Sequence, residues 1–558
     1  MLFLSFFLTW SVRKWKENYK VKAFLTEQGL RFVLGAVVYW VFFWLFIADK
    51  TFLSTISHGW LFLVISFGSD TFRMSELSDK MYKMRIIACT VAAAVCIGMF
   101  VLFPFTQYTN LHNMVVVSSA KQQDKISLEN IIVVDEEAAL YKVGGQKGTI
   151  PDSSMYDVGE ASMVKINKGL YWVVSLKLNG IVSNSSAKGL IPGYFLVSAT
   201  DKDAQAEFVP YNMLYTADSF FGNNVYRMAR AKYPSAILYE GNIEPSDDLK
   251  SAVVAVSYGH YNFLRNGMVV DGVIAVNPQT GEMHQYKINE VPALIEQVMP
   301  SDIAEKYDKY FGEFRGGWFN CVFGSRDKIN PTAWGSGKEV VGVYDETGNF
   351  NWFTDFTVQS NSGQSKSMVG YSMIDGRTGE LKYYERSSNG QSAYNGKAAV
   401  DAVNAMFVKE AYAASVPTLY NIYGSETWVM GVNDKTGKLV KVAMVDAKTN
   451  QAAAGDSKEE CAENYKSLLA NIGAGNSMNP SSLAELKTAT VKVYRHALDD
   501  VNKNVMVWDE NMKGYIISWK TTFSNASIYD GDILQIQYID NGEDVIAVKT
   551  VKNLTLQK

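Results

Sequence analysis

Five histidines, four cysteines and a recurring acidic turn are the side chains of this 558-residue chain that could carry chemistry. His58, His112, His260, His284 and His496 are scattered. None belongs to an H-E-x-x-H pair or another short zinc spacing, which would bring two imidazoles onto one helix face. A G-x-S-x-G elbow, which would expose an activated serine, is absent. The stretch "GSGKE" from Gly335 lacks the upstream Gly and the following Ser or Thr of a phosphate-cradling loop. "DDVNKN", Asp499 to Asn504, offers oxygens of the calcium-binding type without the Gly and closing Glu of an EF-hand. Cys321 and His284 could be imagined as a thiol–imidazole pair, but a free buried thiol is the plainer expectation. No catalytic residue, metal ligand or cofactor is assigned.

Aromatic side chains are the stronger signal. Trp318, Phe319, Trp334, Phe350, Trp352 and Phe353 crowd between Gly316 and Thr357. Two expectations stay open for them. They fill the core where one unit packs on the next, or they line a peptide or glycan groove, with Trp318, Phe319, Trp334 and Trp352 as the candidate binding residues.

The carboxylates recur in one setting. "VNPQTGEMHQYKI" from Val276 resembles "MIDGRTGELKYYE" from Met373, "VNDKTGKLVKVAM" from Val432 and "VDAKTNQAAAGDS" from Val445. "VYDETGNFNWFTD" from Val343 is one residue shorter. In each, an Asn or Asp can open a turn by bonding backbone further along, and Gly supplies the positive φ that closes it. At Asn450, Asn replaces Gly, and Asn is the next residue type able to take that conformation. The flanks are β-rich, so Asp375–Gly379, Asn277–Gly281 and Asn433–Gly437 predict hairpin tips, with Gly281, Gly379 and Gly437 at positive φ. The acidic residues are then turn formers rather than metal ligands.

The elements that position these turns divide sharply. Phe32–Ala48 and Ile86–Phe105 are uncharged runs of membrane-spanning length, and Thr51–Gly68 between them is uncharged but more polar. Basic residues cluster before the first run (Arg13 to Arg31) and between the second and third (Arg73 to Arg85), while Thr106–Ala120 has none. The positive-inside rule then predicts three spans, the amino terminus in the cytoplasm and the large domain outside. "MLFLSFFLTW" reads as an interfacial helix, and His58 as a histidine satisfied near an interface or a neighbouring helix. The expected organisation is a basic cytoplasmic segment (1–31), a transmembrane region (32–105), a polar neck (106–125), extracytoplasmic α+β repeats (126–484) and a small β-barrel (485–558). Ser457 with Glu460 predicts a capping box, ahead of a stripe of Cys461, Tyr465, Leu468, Leu469 and Ile472 with Gly473 as C-cap. A net charge of −4 argues against a broad nucleic-acid footprint.

A hydrophobic strand, D-x-x-T-G, a second strand and a nearby amphipathic helix resemble the PepSY module. The order of "IPGYFLVSATD", "FFGNNVYRMARAKYP", "GVIAVNPQTGEMHQYKINEVPALIEQVMP" and the segment from Thr436 to Leu469 is similar to that of membrane-anchored proteins with PepSY-like repeats and a C-terminal OB-like barrel. The resemblance spans roughly 125–558 and implies architecture and location: an inner-membrane anchor, a large extracytoplasmic domain and envelope protein partners. It implies binding or inhibition rather than catalysis. The expected function is a non-enzymatic envelope binding, regulatory or scaffold protein. The alternatives are an envelope hydrolase with dispersed carboxylates, or a subunit of a transport or secretion complex.

Overall fold

The computed structural model describes residue 29, 32–60 apart from 34, 38, 55 and 58–59, 79–120 apart from 116, 130–386 apart from 325, 336, 346 and 361–362, 393–475, 486–519, 528–539 and 544–557. The chain is α+β, with several antiparallel sheets.

Among the described residues one helix is long and apolar enough to cross a membrane, Ile86–Thr106, continuing α1 (Asp79–Ile97). The first expected span is described in part, as helical turns. Most of 51–68, His58 and the segment 1–28 lie outside the described residues. The expected neck instead carries α2 (Tyr108–Met114) and β1 (Val117–Ala120).

Four units of one plan follow, each a helix and then four antiparallel strands in chain order. Unit one is α3 (Glu136–Gln146) with β2 (Tyr156–Ile166), β3 (Gly169–Leu178), β4 (Ile191–Ser198) and β5 (Glu207–Met213). Unit two is α4 (Val225–Lys232) with β6 (Ile237–Pro245), β7 (Ala252–Asn262), β8 (Asn266–Val276) and β9 (Met283–Lys287). Unit three has α5 (Ser301–Gly312), the short α6 (Gly317–Phe323) and β10 (Asn330–Pro331). Its four strands are β11 (Val341–Tyr344), β12 (Phe350–Ser360), β13 (Gly363–Asp375) and β14 (Leu381–Glu385). The two-residue β15 (Ala393–Tyr394) pairs with β13, and β1 adds to β14 in parallel. Unit four is α7 (Gly396–Met406), the short β16 (Ala413–Ala414), then β17 (Thr418–Ile422), β18 (Ser425–Asn433), β19 (Leu439–Asp446) and β20 (Ala452–Gly455).

The repeated turn has a structural job. In unit two the Asn277 side chain accepts from Gln279 N and Thr280 N, and Gly281 closes the turn at φ 74°. Asp375 does the same for Arg377 N and Thr378 N, with Gly379 also at 74°. At the third site the register differs by one. Asp434, not Asn433, accepts from Thr436 N, and Gly437 has φ 86°. Either residue can open an Asx turn, so the sequence alone leaves that choice open. Each turn between the third and fourth strand then latches the segment that leads into its own helix. Pro278 O accepts from Leu214 N and Tyr215 N, and Gly376 O from Val298 N and Met299 N. Ala199 O accepts from Val133 N and Val134 N, and Ala447 O from Tyr394 N. The turn between the third and fourth strand therefore registers helix against sheet four times, and the repeated motif forms it at three of them, 277–281, 375–379 and 446–450.

The sheets are buried on both faces where they meet, which is why strands such as β18 read as apolar runs rather than alternating ones. Val429 of β18 joins a core drawn from units one, two and four with Tyr344 and Phe350 of unit three, while neighbouring Met430 joins the core between units three and four. A third core lies between units two and three, around Val273, Phe311 and Phe356. The four sheets thus close a ring: one on two, two on three, three on four, and four back on one.

α8 (Lys458–Gly475) links unit four to the end of the chain. Ser457 Oγ accepts from Glu460 N as the capping box requires, and Cys461, Tyr465, Leu469 and Ile472 are buried. Gly473 is not the cap, because the helix runs on to Gly475. The six terminal strands are β21 (Leu486–Lys492), β22 (Arg495–Asp499), β23 (Asn504–Trp508), β24 (Gly514–Ser518), β25 (Ile533–Ile539) and β26 (Val545–Asn553). They form one sheet in the order β21-β25-β26-β24-β23-β22. Its core is made of its own side chains, Val507, Ile517, Leu534 and Ile546 among them, so the sheet curls over itself. The expected closed barrel is not found among the described residues, where β21 and β22 remain edges.

Candidate functional site

The ring encloses a cavity of about 870 Å³ to which all four units contribute. It is reached by the first of the four main strands of each unit. β2, β6, β11 and β17 are each at a sheet edge and each bring residues to the cavity wall. Some outward groups of β2 are already committed: Gln297 Nε2 donates to Met163 O, and Lys165 N donates to Glu296 at 3.1 Å. Further along β2, Ala161 and Ser162 open onto the cavity.

Two glutamates occupy matching places in units one and two. The β2–β3 register breaks between Val158 and Ala161, and the β6–β7 register breaks between Leu238 and Gly241. Glu160 and Glu240 sit in these bulges, which take a residue out of the ladder and re-aim its side chain. Both line the cavity, joined by Glu305 from α5. Ser301 Oγ donates to Glu240 at 3.2 Å, and Glu339 N donates to Glu305 at 3.4 Å. Burial pushes the Glu240 carboxyl up, and the nearby Glu160, Asp302 and Glu305 push the same way. The Glu305 carboxyl is likewise raised, first by burial and then by Glu339 and Asp302. Across the cavity Lys338 pairs with Glu136 at the start of α3, and burial draws the Lys338 ammonium down.

Tryptophans make the apolar walls. Trp334 Nε1 donates to Asp355 at 2.6 Å, Trp352 Nε1 to Met299 O at 2.7 Å and Trp172 Nε1 to Val134 O at 2.8 Å. All three indole N–H groups are thus committed inside the protein, and ring carbon is what remains for the cavity. Asp355 is wholly buried. Burial pushes its carboxyl up to about 6, against the hydrogen bonds from Trp334 and Thr332 that favour its charge. Behind the cavity, Glu244 accepts from Gln297 N at 3.3 Å and is pushed up to about 8 by burial and by neighbouring Glu296.

The aromatic group expected from sequence is therefore split. Trp334 and Trp352 line the cavity, whereas Trp318 and Phe319 lie on α6, away from it and exposed. Cys321 and Cys461 are both free, and Cys461 is buried in the core of units one and four. His112 bonds Tyr310 O, and His260 and His496 each pair with one aspartate, Asp271 and Asp530. Among the described residues no three His, Cys, Asp or Glu side chains gather to hold a metal ion. Glu160, Glu240 and Glu305 were missed. The available signal was a glycine beside a glutamate within a β-run, "VGEA" and "LYEG", since Gly inside a strand marks a bulge or a close approach. A Cβ on Gly159 would stand 2.2 Å from Ser175 Oγ, which is such an approach.

No known protein family matches this chain, and no curated protein is similar to it.

Proposed function

We propose that this chain is a membrane-anchored, non-enzymatic binding protein of the cell envelope, built on PepSY-like units, whose central cavity receives an extended, positively charged polypeptide segment. The observation that carries this is the convergence of four edge strands on one cavity. An edge strand offers free backbone N–H and C=O groups to an added strand. The bulge glutamates Glu160 and Glu240, with Glu305, favour a cationic side chain, and the tryptophan faces suit its alkyl stem or a cation–π contact.

Anchorage is assigned to the helix 86–106, with the large domain outside the cytoplasm. Two attachments support three crossings. Asp49, just after the first apolar run, pairs with Arg265 of unit two at 2.9 Å, and Lys50 N donates to Pro234 O at 2.8 Å. Thr106, at the end of the last run, leads directly into the same domain. Residues 47–50 and 107 onward then lie on one side, so the chain crosses back between them. With the basic segments inside, that side is the exterior. A reporter active only outside the cytoplasm, fused after Lys558, should be active; activity of a cytoplasm-only reporter there overturns the topology.

The ligand class is tested by titrating the full chain in nanodiscs with a short peptide alternating lysine and valine. Glu160→Gln with Glu240→Gln should weaken binding by roughly tenfold or more, and an unchanged affinity sinks the assignment. A second reading, an envelope hydrolase, is favoured by the raised carboxyls of Glu240 and Glu305, as a general acid requires. Turnover of a peptide, glycan or ester that Glu240→Gln abolishes at unchanged Tm would replace the binding reading.

A further inference from the structure

Helix α6 is built inside out. Its polar side chain is folded back into its own loop: Asn320 Nδ2 donates to Arg315 O and Arg326 O, and Asn320 Oδ1 accepts from Arg326 N. Its apolar residues face away, with Phe319 71 % exposed, Phe323 68 %, Val322 51 % and Trp318 39 %. A helix in water does the reverse, burying the apolar stripe and solvating the amide. The turn around Asn320 fixes this orientation, because it ties both ends of the α6 loop together. Three of those side chains touch, Trp318 and Phe319 each packing on Phe323. They form one contiguous apolar surface of the kind that marks an interaction site.

What covers that surface follows from its neighbour. Trp318 packs on Phe105, with ring centroids 6.4 Å apart, and Phe105 lies in the last turn of the apolar helix 86–106. Phe105 in turn packs on Tyr108, and Tyr108 stacks on Phe314 at 3.9 Å. The end of the candidate span and the apolar face of α6 are therefore at one level, joined by a belt of aromatic rings. Tryptophan and tyrosine, here Trp318 and Tyr108, are the residues that favour a membrane–water boundary. Arg315 and Arg326 at either end of the α6 segment supply the basic flank of an interfacial helix.

We propose that α6 lies in the lipid interface of the bilayer that holds helix 86–106, with Phe319, Val322 and Phe323 inserted among the acyl chains. This rests on the anchorage assigned above, and the experiment separates the two. The full chain, with Cys89, Cys96, Cys321 and Cys461 replaced by Ala, is spin-labelled at one site and placed in phospholipid nanodiscs. The sites are Phe319→Cys on α6, Val95→Cys on the apolar helix and Val501→Cys, an 87 % exposed position in the turn between β22 and β23. Relaxation by oxygen and by a water-soluble nickel chelate reports lipid or water around each label. The labels at 319 and 95 should both favour oxygen, and the label at 501 the chelate. A lipid signal at 95 with a water signal at 319 overturns the α6 proposal and leaves the anchor standing. A label at 319 shielded from both relaxants means a protein surface covers α6, which overturns the proposal as well. A water signal at 95 removes the anchor, and with it the basis for placing α6 in lipid.

Discussion

Trp334 and Trp318 belong to one aromatic stretch of the chain and to opposite environments. Trp334 is 2 % exposed, donates to a buried aspartate and walls a cavity shared by four units; Trp318 lies on a helix whose apolar face points outward. Composition is the same in both places. The difference lies in what the neighbouring backbone and polar groups do: around Trp334 they converge on Asp355, and around Trp318 they converge on Asn320 and leave the rings outside. An aromatic cluster in a sequence therefore gives an amount of apolar surface but not the medium that will cover it.

The widest separation between the two regions should come from truncation. Trp334→Ala removes a large buried ring and the indole donor to Asp355 Oδ1, leaving only Thr332 and Gly396 N on the other oxygen, so it should cost about 3–5 kcal/mol. Thermal melting in detergent measures this, and a loss below about 1 kcal/mol would mean that the inner ring is not core.

Next in size is a pH effect on the inner side. Glu244 has an ordinary value of 4.5 and is pushed up to about 8 in the folded protein. Between those values the folded chain holds a proton that the unfolded chain has released, so this group's contribution to stability falls as pH rises through the window. Glu244→Gln should therefore melt like the parent near pH 4.5 and melt higher at pH 8, by on the order of a few kcal/mol. Equal melting at both pH values would show that Glu244 is not desolvated.

A smaller effect tests the latch that holds these regions in register. Gly379 has φ 74°, and a Cβ there would stand 2.2 Å from Met299 Cε, part of the segment that turn latches. Gly379→Val should cost about 1–2 kcal/mol from the backbone alone, and more if Met299 cannot move. The smallest change belongs to the outer side: Phe319→Ala should alter melting in detergent by no more than about 0.5 kcal/mol. A loss comparable to that of Trp334→Ala would erase the contrast between inside and outside.

How much of this was legible follows the range of each interaction. The Thr-Gly turns were readable because an Asx turn and a positive φ are set within a few residues, and Gly281, Gly379 and Gly437 all have it. The capping box of α8 was readable for the same reason. The ring was not, since which strand of a sheet becomes its edge depends on partners far away in sequence. Glu160 and Glu240 went unnoticed because a bulge is a mismatch between two strands, and one strand alone does not show it. The terminal strands were recognisable from their alternation, as in Leu534 and Ile536, but alternation does not say whether the first and last strands meet.

The clamp at Asp49 and Lys50 has a mechanical consequence. A domain on a single flexible stalk sweeps a hemisphere and can meet partners at many heights above the bilayer. Here the chain grips the same domain at residues 47–50, at α2 and again where β1 joins the third sheet. With helix 86–106 in a bilayer, as proposed above, three grips on one body would leave it little freedom to tilt or lift, and the mouth of the cavity would keep a nearly constant altitude. On that proposal, whatever occupies the cavity would have to come to that altitude, and a partner fixed farther from the bilayer would be out of reach.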